Sequence, residues 1–241
     1  MLADIPPDTI LGRIVRAPLR LIPRGTIVRI PRGPLKGRKW IVGASTHGCW
    51  LGTFEKDKVA AFTSDIRPEG IVYDIGAAAG IYTLLSATRA TAGHVYSFEP
   101  FVRNLEILRR HIKLNGLTNC TIIEAAVDSS SGSAQFATGP TPEMGSLSPS
   151  GDVRVKTVAL DDLRDAGTLP APDLIKMDIE GNELEALHGA TRMLQTFRPI
   201  LYLATHSSQL QRECGEFLQN LGYSVALVPG SNRLELLARP A

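Results

Sequence analysis

Two acids and two glycines have the types and the spacing to hold a small charged ligand. Asp74 stands two residues before Gly76 in the run DIGAAAG, which Gly80 ends, and Glu99 follows a second apolar segment. Glycines let backbone amides approach a ligand closely at a helix start, where partial positive charge favours a carboxylate or a phosphate. An acid just before the first glycine suits a ligand that also carries an ammonium group, such as the methionine end of S-adenosylmethionine (SAM).

The spacing differs from the G-x-G-x-x-G pattern of dinucleotide-binding turns. A glycine turn that serves only strand–helix packing is the simpler alternative, and an acid at a strand end is often only a solvated terminus. In doubly wound sheets, however, an acid at the end of the second strand accepts hydrogen bonds from ribose hydroxyls. Because Asp74 and Glu99 follow two adjacent predicted strands, the pair favours a nucleoside site.

Asp178 and His206 end two further apolar segments. A histidine has the pKa of a general base, although one at a strand end is also commonly a satisfied polar residue. Asp178 has three candidate roles: to orient the ligand's amino group, to accept a proton, or to help hold a divalent ion. Together with Glu180, which equally suits a helix N-terminus, they include ligands that hard cations favour. The sequence has no dedicated metal-ligand spacing here, so we predict no obligatory metal.

Strands and helices alternate from residue 71 onward, which predicts an α/β fold with a doubly wound, mostly parallel sheet of seven strands. The predicted strands of this sheet are 71–73, 94–98, 121–125, 173–177 and 200–204, followed by a C-terminal antiparallel hairpin over 223–228 and 234–238. A further short strand over 154–158 is predicted to return the chain to the sheet. Helices are predicted over 81–89 and 101–115, and one helix is predicted after Asn182. In such a sheet the ligand's base should lie near residues 126–128, outside the carboxyl ends of the strands.

The segment 129–152 is rich in Ser, Gly and Pro. It is too long and too polar for a simple connection, so it is predicted to be either a lid or a disordered insert.

Residues 1–65 differ in character and are predicted to form a small, basic, β-rich extension before a main domain over 66–241. Nine basic residues and no acid lie between residues 13 and 39: Arg13, Arg16, Arg20, Arg24, Arg29, Arg32, Lys36, Arg38 and Lys39. Two interpretations stay open: a positively charged surface for an anionic substrate, nucleic acid or acidic lipid, or a solvated edge.

Composition bounds the remaining possibilities. With 241 residues, 44% of them hydrophobic, the chain can form one large core, and a net charge of +2 does not indicate a polyanion partner for the whole molecule. Cys49, Cys120 and Cys214 are odd in number and widely spaced, which favours buried thiols over disulfides or a zinc site. No signal peptide and no apolar run of ~20 residues is evident, so we expect a soluble, cytoplasmic protein without a membrane span.

Several motifs, in order, resemble the FkbM family of class I SAM-dependent methyltransferases. They are DIGAAAGIYTLLSA (74–87), VYSFEP (95–100), NLEILRRHIKLNGL (104–117), AAVDSSSG (125–132), VKTVALDDL (155–163) and DLIKMDIEGNELEALHGA (173–190), with His206 after the fifth strand. The chain departs from the family pattern at Ala78, where Asn is usual, and at Ala204, where an acid is frequent.

The resemblance implies SAM as cofactor, S-adenosylhomocysteine (SAH) as product, and O-methylation of a hydroxyl on a sugar, glycolipid or natural-product acceptor. We expect Asp178 and His206 to be catalytic. The expected cofactor contacts are Asp74, Gly76, Ala77, Gly80, Tyr82, Thr83, Glu99, Pro100, Ala126 and Asp178.

The run Asp178-Ile-Glu-Gly181 lacks the Asn/Asp-Pro-Pro-aromatic turn of many amino-group methyltransferases, which favours a hydroxyl acceptor. Two alternatives remain. One is an RNA methyltransferase that grips phosphates through the basic segment. The other is a SAM-binding protein that has lost catalysis, an alternative suggested by the departures from the family pattern at Ala78 and Ala204.

Overall fold

The computed structural model describes residues 9, 19, 21–139, 145–231 and 234–241. Its strands are β1 (Ile27–Arg29), β2 (Lys39–Ile41), β3 (Ile71–Ile75), β4 (His94–Phe98), β5 (Cys120–Ile123), β6 (Ala126–Val127), β7 (Gly132–Ala137), β8 (Ser146–Leu147), β9 (Val153–Val158), β10 (Leu174–Met177), β11 (Ile200–Ala204), β12 (Tyr223–Leu227) and β13 (Glu235–Pro240). Its helices are α1 (His47–Leu51), α2 (Lys56–Ser64), α3 (Ile81–Arg89), α4 (Val102–Leu114), α5 (Leu160–Asp165), α6 (Glu183–His188), α7 (Thr191–Phe197) and α8 (Ser208–Asn220).

The main sheet has seven strands in the order β12-β13-β11-β10-β3-β4-β5. β3 lies between β10 and β4 and is parallel to both, so its apolar, β-branched residues are covered on both faces. β13 is antiparallel to both of its neighbours, β11 and β12. The prediction of a mostly parallel, seven-stranded α/β sheet with an antiparallel C-terminal hairpin is therefore confirmed.

The shared direction of β3, β4, β10 and β11 brings their carboxyl ends to one edge of the sheet. In register, Asp74 on β3 pairs with Ser97 on β4 and with Lys176 on β10. The residues that follow these strands, among them Gly76, Glu99, Asp178 and His206, are thereby gathered at that edge.

Apolar side chains of the strands and helices fill the core on both sides of the sheet. Tyr73, Met177 and Leu203 belong to one large buried cluster. α4 places Leu105 and Leu108 in the core at helical spacing, as its sequence pattern predicts. A packed hydrophobic core therefore supports the ends of the strands.

A second, four-stranded sheet has the order β6-β9-β7-β8. It corrects two predictions. The strand expected over 154–158 pairs with β6 and β7 instead of joining the main sheet. The segment 129–152, expected to be a lid or a disordered insert, contributes β7 and β8, and its Phe136 is buried against Val155, so its described part is not disordered, whereas the lid stays a prediction. The part of the segment over 140–144 lies outside the described residues.

The helix expected after Asn182 is two helices, α6 and α7. Gly189 lies where they meet, and a Cβ atom there would come within 2.2 Å of the Asp128 carbonyl oxygen. Asp161 accepts the backbone N–H groups of Arg192 and Met193 at 3.0 and 2.8 Å, so its carboxylate caps the second helix.

Contacts between Cα atoms divide the chain into two units, Met1–Lys56 and Asp57–Ala241, whereas the sequence placed the division after residue 65. In the first unit β1 and β2 form an antiparallel pair, and Trp40 and Trp50 are buried. The basic residues Arg13, Arg16 and Arg20 lie outside the described residues. No helix in the described part of the chain is both long and apolar enough to cross a membrane.

Candidate active site

The glycine turn after β3 has a left-handed backbone at three positions. Gly76, Ala78 and Gly80 have φ values of 78°, 46° and 92°, and only Ala78 carries a side chain. A Cβ atom on Gly76 would lie 1.9 Å from the Asp178 carbonyl oxygen, so only glycine allows the loops after β3 and β10 to approach this closely. Gly76 is therefore needed for the packing of these two loops. Gly76 and Ala78 also line a cleft.

Glu99 follows β4 and lies against this turn, with 4% of its surface exposed. Its Oε2 accepts the Ala78 N–H at 2.8 Å, and its Oε1 accepts the Phe101 N–H at 2.9 Å and the Asn104 amide at 3.3 Å. Burial raises the pKa of the Glu99 carboxyl, and the hydrogen bonds from Phe101 and Ala78 oppose that shift. Since each carboxylate oxygen has two lone pairs, Oε2 retains acceptor capacity toward the cleft.

Asp74 lies beneath the turn and does not reach the cleft. It is 0% exposed, as is Thr83, whose hydroxyl donates to Asp74 Oδ2 at 2.6 Å and lies 2.8 Å from the Ser97 hydroxyl. The cofactor contacts predicted for Asp74 and Thr83 therefore do not fit this structure, because a fully buried group has no surface for a ligand. Both residues position the turn instead.

Lys176 is a residue of this site that the sequence analysis missed. Its ammonium donates to the Gly76 carbonyl at 3.0 Å and lies 3.6 Å from Asp74 Oδ1 and 4.0 Å from Asp178 Oδ2. It also lies 5.2 Å from the centre of the Tyr82 ring, which is buried beneath it. A lysine inside an apolar strand was the available signal, since burying an ammonium group requires partners.

Three carboxylates surround His206 after β11. Its Nε2 is 3.4 Å from Asp178 Oδ1 and 3.4 Å from Glu180 Oε2, and its Nδ1 is 3.0 Å from Glu183 Oε1. Glu180 reaches the imidazole from a left-handed backbone, with φ 60°. It is Glu183, not Glu180, that accepts the loop amides before α6, from Ile179 at 3.1 Å and Gly181 at 3.2 Å.

The carboxylates change the acid–base character of His206. The carboxylates of Glu180 and Glu183 beside the ring raise the pKa of His206 to about 10, against the opposing effect of burial. With no cation bound between these groups, the ring is then an imidazolium at neutral pH, which donates protons and does not accept them. The general-base role predicted for His206 does not fit a protonated ring. Asp178, whose Oδ1 lies 3.4 Å from the ring, is the other residue predicted to be catalytic.

The cleft at the strand ends is open to solvent, and the empty space within it, its solvent-facing mouth included, is about 510 Å³. Of the predicted cofactor contacts, Gly76, Glu99, Pro100, Ala126 and Asp178 line it. The remaining ones lie away from its lining: Asp74, Ala77, Gly80, Tyr82 and Thr83.

The far wall of the cleft comes from the second sheet, through Phe136 and Leu147. The Phe136 ring stacks on Phe101 with centroids 5.9 Å apart. Phe136 and Leu147, two large apolar residues in a mostly polar segment, were the sequence signal for this wall. The cleft is therefore apolar at this end and acidic at the other, where Asp178 and Glu180 lie.

Comparisons with known proteins agree on the class of protein. The family model described as "Methyltransferase FkbM domain" matches residues 74–225. The hexuronic acid methyltransferase AglP of Haloferax volcanii is 30% identical over 146 residues, which cover 59% of this chain and 59% of that protein.

Two solved structures share the fold. The methyltransferase FkbM from Methylobacillus flagellatus KT has a TM-score of 0.54 and 21% identity, covering 72% of this chain and 44% of that one. The precorrin-6y C5,15-methyltransferase from Geobacter metallireducens has a TM-score of 0.51 and 18% identity, covering 77% and 89%. The chain thus spans less than two thirds of the length of AglP and of the FkbM structure.

Proposed function

The chain belongs to the FkbM methyltransferase family, and from this premise we propose that it transfers the methyl group of SAM to an oxygen atom of a sugar-type acceptor. The products are SAH and a methylated hydroxyl on a sugar, glycolipid or natural product.

The observation that carries the proposal is the position of Glu99 at the edge of the cleft. A carboxylate there suits ribose hydroxyls, because ligands of such sheets bind outside the carboxyl ends of the strands. The apolar wall at Phe136 and Leu147 suits an adenine ring, and the turn at Gly76 together with Asp178 suits the amino-acid end of the cofactor. The same cleft thus has a complementary surface for each part of SAM.

Methyl transfer is an in-line displacement in which the acceptor oxygen forms a bond to the methyl carbon as the carbon–sulfur bond breaks. The sulfur retains the electron pair, and the hydroxyl proton must leave. We assign the proton to Asp178, which lines the cleft, with His206 as the neighbour that orients it. Alignment of the two reactants contributes at most about 7–11 kcal/mol, and a positioned base about 10²–10⁴-fold in rate.

The relative AglP supports a sugar as acceptor, since its name describes it as a hexuronic acid methyltransferase. A hexuronic acid offers both hydroxyl and carboxylate oxygens. Mass spectrometry of the product before and after mild alkali distinguishes a methyl ether, which keeps its methyl group, from a methyl ester, which loses it.

Calorimetry with SAH tests the cofactor site. Glu99→Ala removes the acceptor for the ribose hydroxyls and should weaken SAH binding about 100-fold, since hydrogen bonds to a charged group contribute about 1.5–3 kcal/mol each. Glu106→Ala, an exposed acid on α4, is the matched control and should bind SAH as the wild type does. Equal affinities in the two variants would contradict the assignment of Glu99.

Incubation with methyl-labelled SAM tests the reaction. We expect label in hexuronic acid or another glycan and none in RNA. Transfer to RNA, with binding that weakens steeply as salt rises, would instead support an RNA methyltransferase. SAH binding without transfer to any acceptor would support a cofactor-binding protein without catalysis.

A further inference from the structure

At the acidic end of the cleft, three side chains bring possible metal-ligand atoms close together, and two of them, Asp178 and Glu180, line the cleft. Single ligand atoms of Asp178, Glu180 and His206 all lie within 4.8 Å of one another. The three residues come from the ends of β10 and β11, which are adjacent in the sheet but far apart in sequence. The sequence analysis named these three residues as possible ligands of a hard cation but predicted no obligatory metal, because their sequence spacing is not that of a dedicated metal site.

The distances within the cluster suit an ion between the groups. His206 Nε2 is 3.4 Å from an oxygen of Asp178 and 3.4 Å from an oxygen of Glu180, and its single ring position cannot point at both. Charged N–H···O bonds are shorter, at about 2.7–2.9 Å. Ligand atoms on a tetrahedral metal ion with bonds of about 2.0–2.2 Å lie about 3.3–3.6 Å from one another.

A buried carboxylate behind the histidine is an independent feature of metal sites. Glu183 is 0% exposed, its Oε1 holds His206 Nδ1 at 3.0 Å, and its Oε2 has no hydrogen-bond partner among the described residues. Histidines that bind metals usually donate their other ring nitrogen to such a carboxylate, which fixes the ring and raises its basicity as a ligand. Glu183 therefore leaves Nε2 directed toward Asp178 and Glu180.

Charge balance favours a cation at the same point. Asp178, Glu180 and Glu183 bring three carboxylates around one imidazole. Lys176 approaches Asp178 no closer than 4.0 Å and lies nearer to Asp74. A divalent ion would offset this excess of negative charge, to which the fully buried Glu183 carboxylate contributes.

We propose that Asp178, Glu180 and His206 bind a first-row divalent metal ion such as Mn²⁺ or Zn²⁺. Two carboxylate oxygens and one imidazole nitrogen are a donor set that such ions accept. Because Asp178 and Glu180 line the cleft, the open coordination positions face it. The role of these positions rests on the proposed function: they would hold oxygen atoms of the acceptor. This favours acceptors with adjacent hydroxyls or a carboxylate.

Binding of Mn²⁺ alone tests the site. Chelator-treated, dialysed protein is titrated with Mn²⁺ while the electron paramagnetic resonance signal reports the free ion. The wild type should bind one equivalent with a dissociation constant below about 1 mM. Glu180→Gln should weaken binding at least about tenfold, and Glu183→Gln about 10–100-fold although it is not a ligand. Glu185→Gln, an exposed acid on α6, should leave the dissociation constant unchanged.

Circular dichroism of each variant identifies any that fail to fold, and Glu180→Gln, at a partly exposed side chain, keeps the test decisive if Glu183→Gln does fail. Absence of saturable Mn²⁺ binding to the wild type, or equal binding by the wild type and Glu180→Gln, overturns the metal site. SAH calorimetry on the same metal-free samples separates the proposals. SAH binding without Mn²⁺ binding removes only the metal site, and Mn²⁺ binding without SAH binding removes only the proposed function.

Discussion

His111 couples the stability of the glycine turn to pH. It is a fully buried residue of α4, and its Nδ1 lies 2.7 Å from the Ala79 carbonyl oxygen, so that nitrogen carries the proton and donates. Burial lowers the pKa of His111 from 6.5 to about 4; the bond to Ala79 opposes this shift, and Arg110 adds to it. The ring therefore takes up a second proton more readily in the unfolded chain than in the folded protein.

The sign and the size of the effect follow from linkage. Because the folded pKa lies below the unfolded one, the unfolded state takes up a proton first as pH falls from 6.5 toward 4. The stabilisation is complete above pH 6.5 and is lost as pH falls toward 4. A shift of this size corresponds to about 3 kcal/mol, of which about 2 kcal/mol is lost by pH 5.

Urea unfolding followed by far-UV circular dichroism measures this loss. His111→Gln keeps a donor for Ala79 but cannot titrate. Its free energy of unfolding at pH 7.5 gives the cost of the altered packing, and only the change in that difference with pH reports the proton. Between pH 7.5 and 5 the wild type should lose about 2 kcal/mol more than the variant. Parallel losses in the two proteins would refute the argument.

The glycine turn gives two further predictions. Ala78→Gly removes a side chain from a left-handed backbone and should raise the free energy of unfolding by about 0.5–1 kcal/mol; the same change at Ala79, outside that region, should lower it, and the reverse order in urea unfolding would contradict us. Gly76→Ala forces a methyl group onto the Asp178 carbonyl and should cost more than about 2 kcal/mol and abolish SAH binding. Unchanged unfolding and calorimetry for Gly76→Ala would show that the two loops move apart easily.

The sequence predicted the sheet and the ends of its strands well, because hydrophobic pattern and parallel direction are enough for both. Short β-branched strands followed by polar residues identified Glu99, Asp178 and His206, and a parallel sheet must bring such ends together. The confirmed family match adds to this argument.

Details that depend on depth and on distant contacts could not be predicted. Asp74 and Glu99 follow the same pattern, yet Asp74 lies beneath the turn, bound to Thr83, and Glu99 lies in the cleft. Lys176 and Glu183 act through partners that the chain brings near only after folding. The second sheet was missed because β7 and β8 lie in a polar segment, and because the strand expected over 154–158 was assigned to the main sheet.

The arrangement around Glu183 bears on how acceptor choice can change. One oxygen holds the His206 ring and two amides of the loop that presents Asp178 and Glu180. Altering any part of that assembly displaces the others, so it is poorly suited to stepwise diversification. Phe136 and Leu147 face the same cleft from outside that assembly. Libraries that aim to redirect acceptor preference should therefore leave the residues around Glu183 unchanged, and also Phe136 and Leu147, whose apolar wall we propose for the adenine ring of the cofactor.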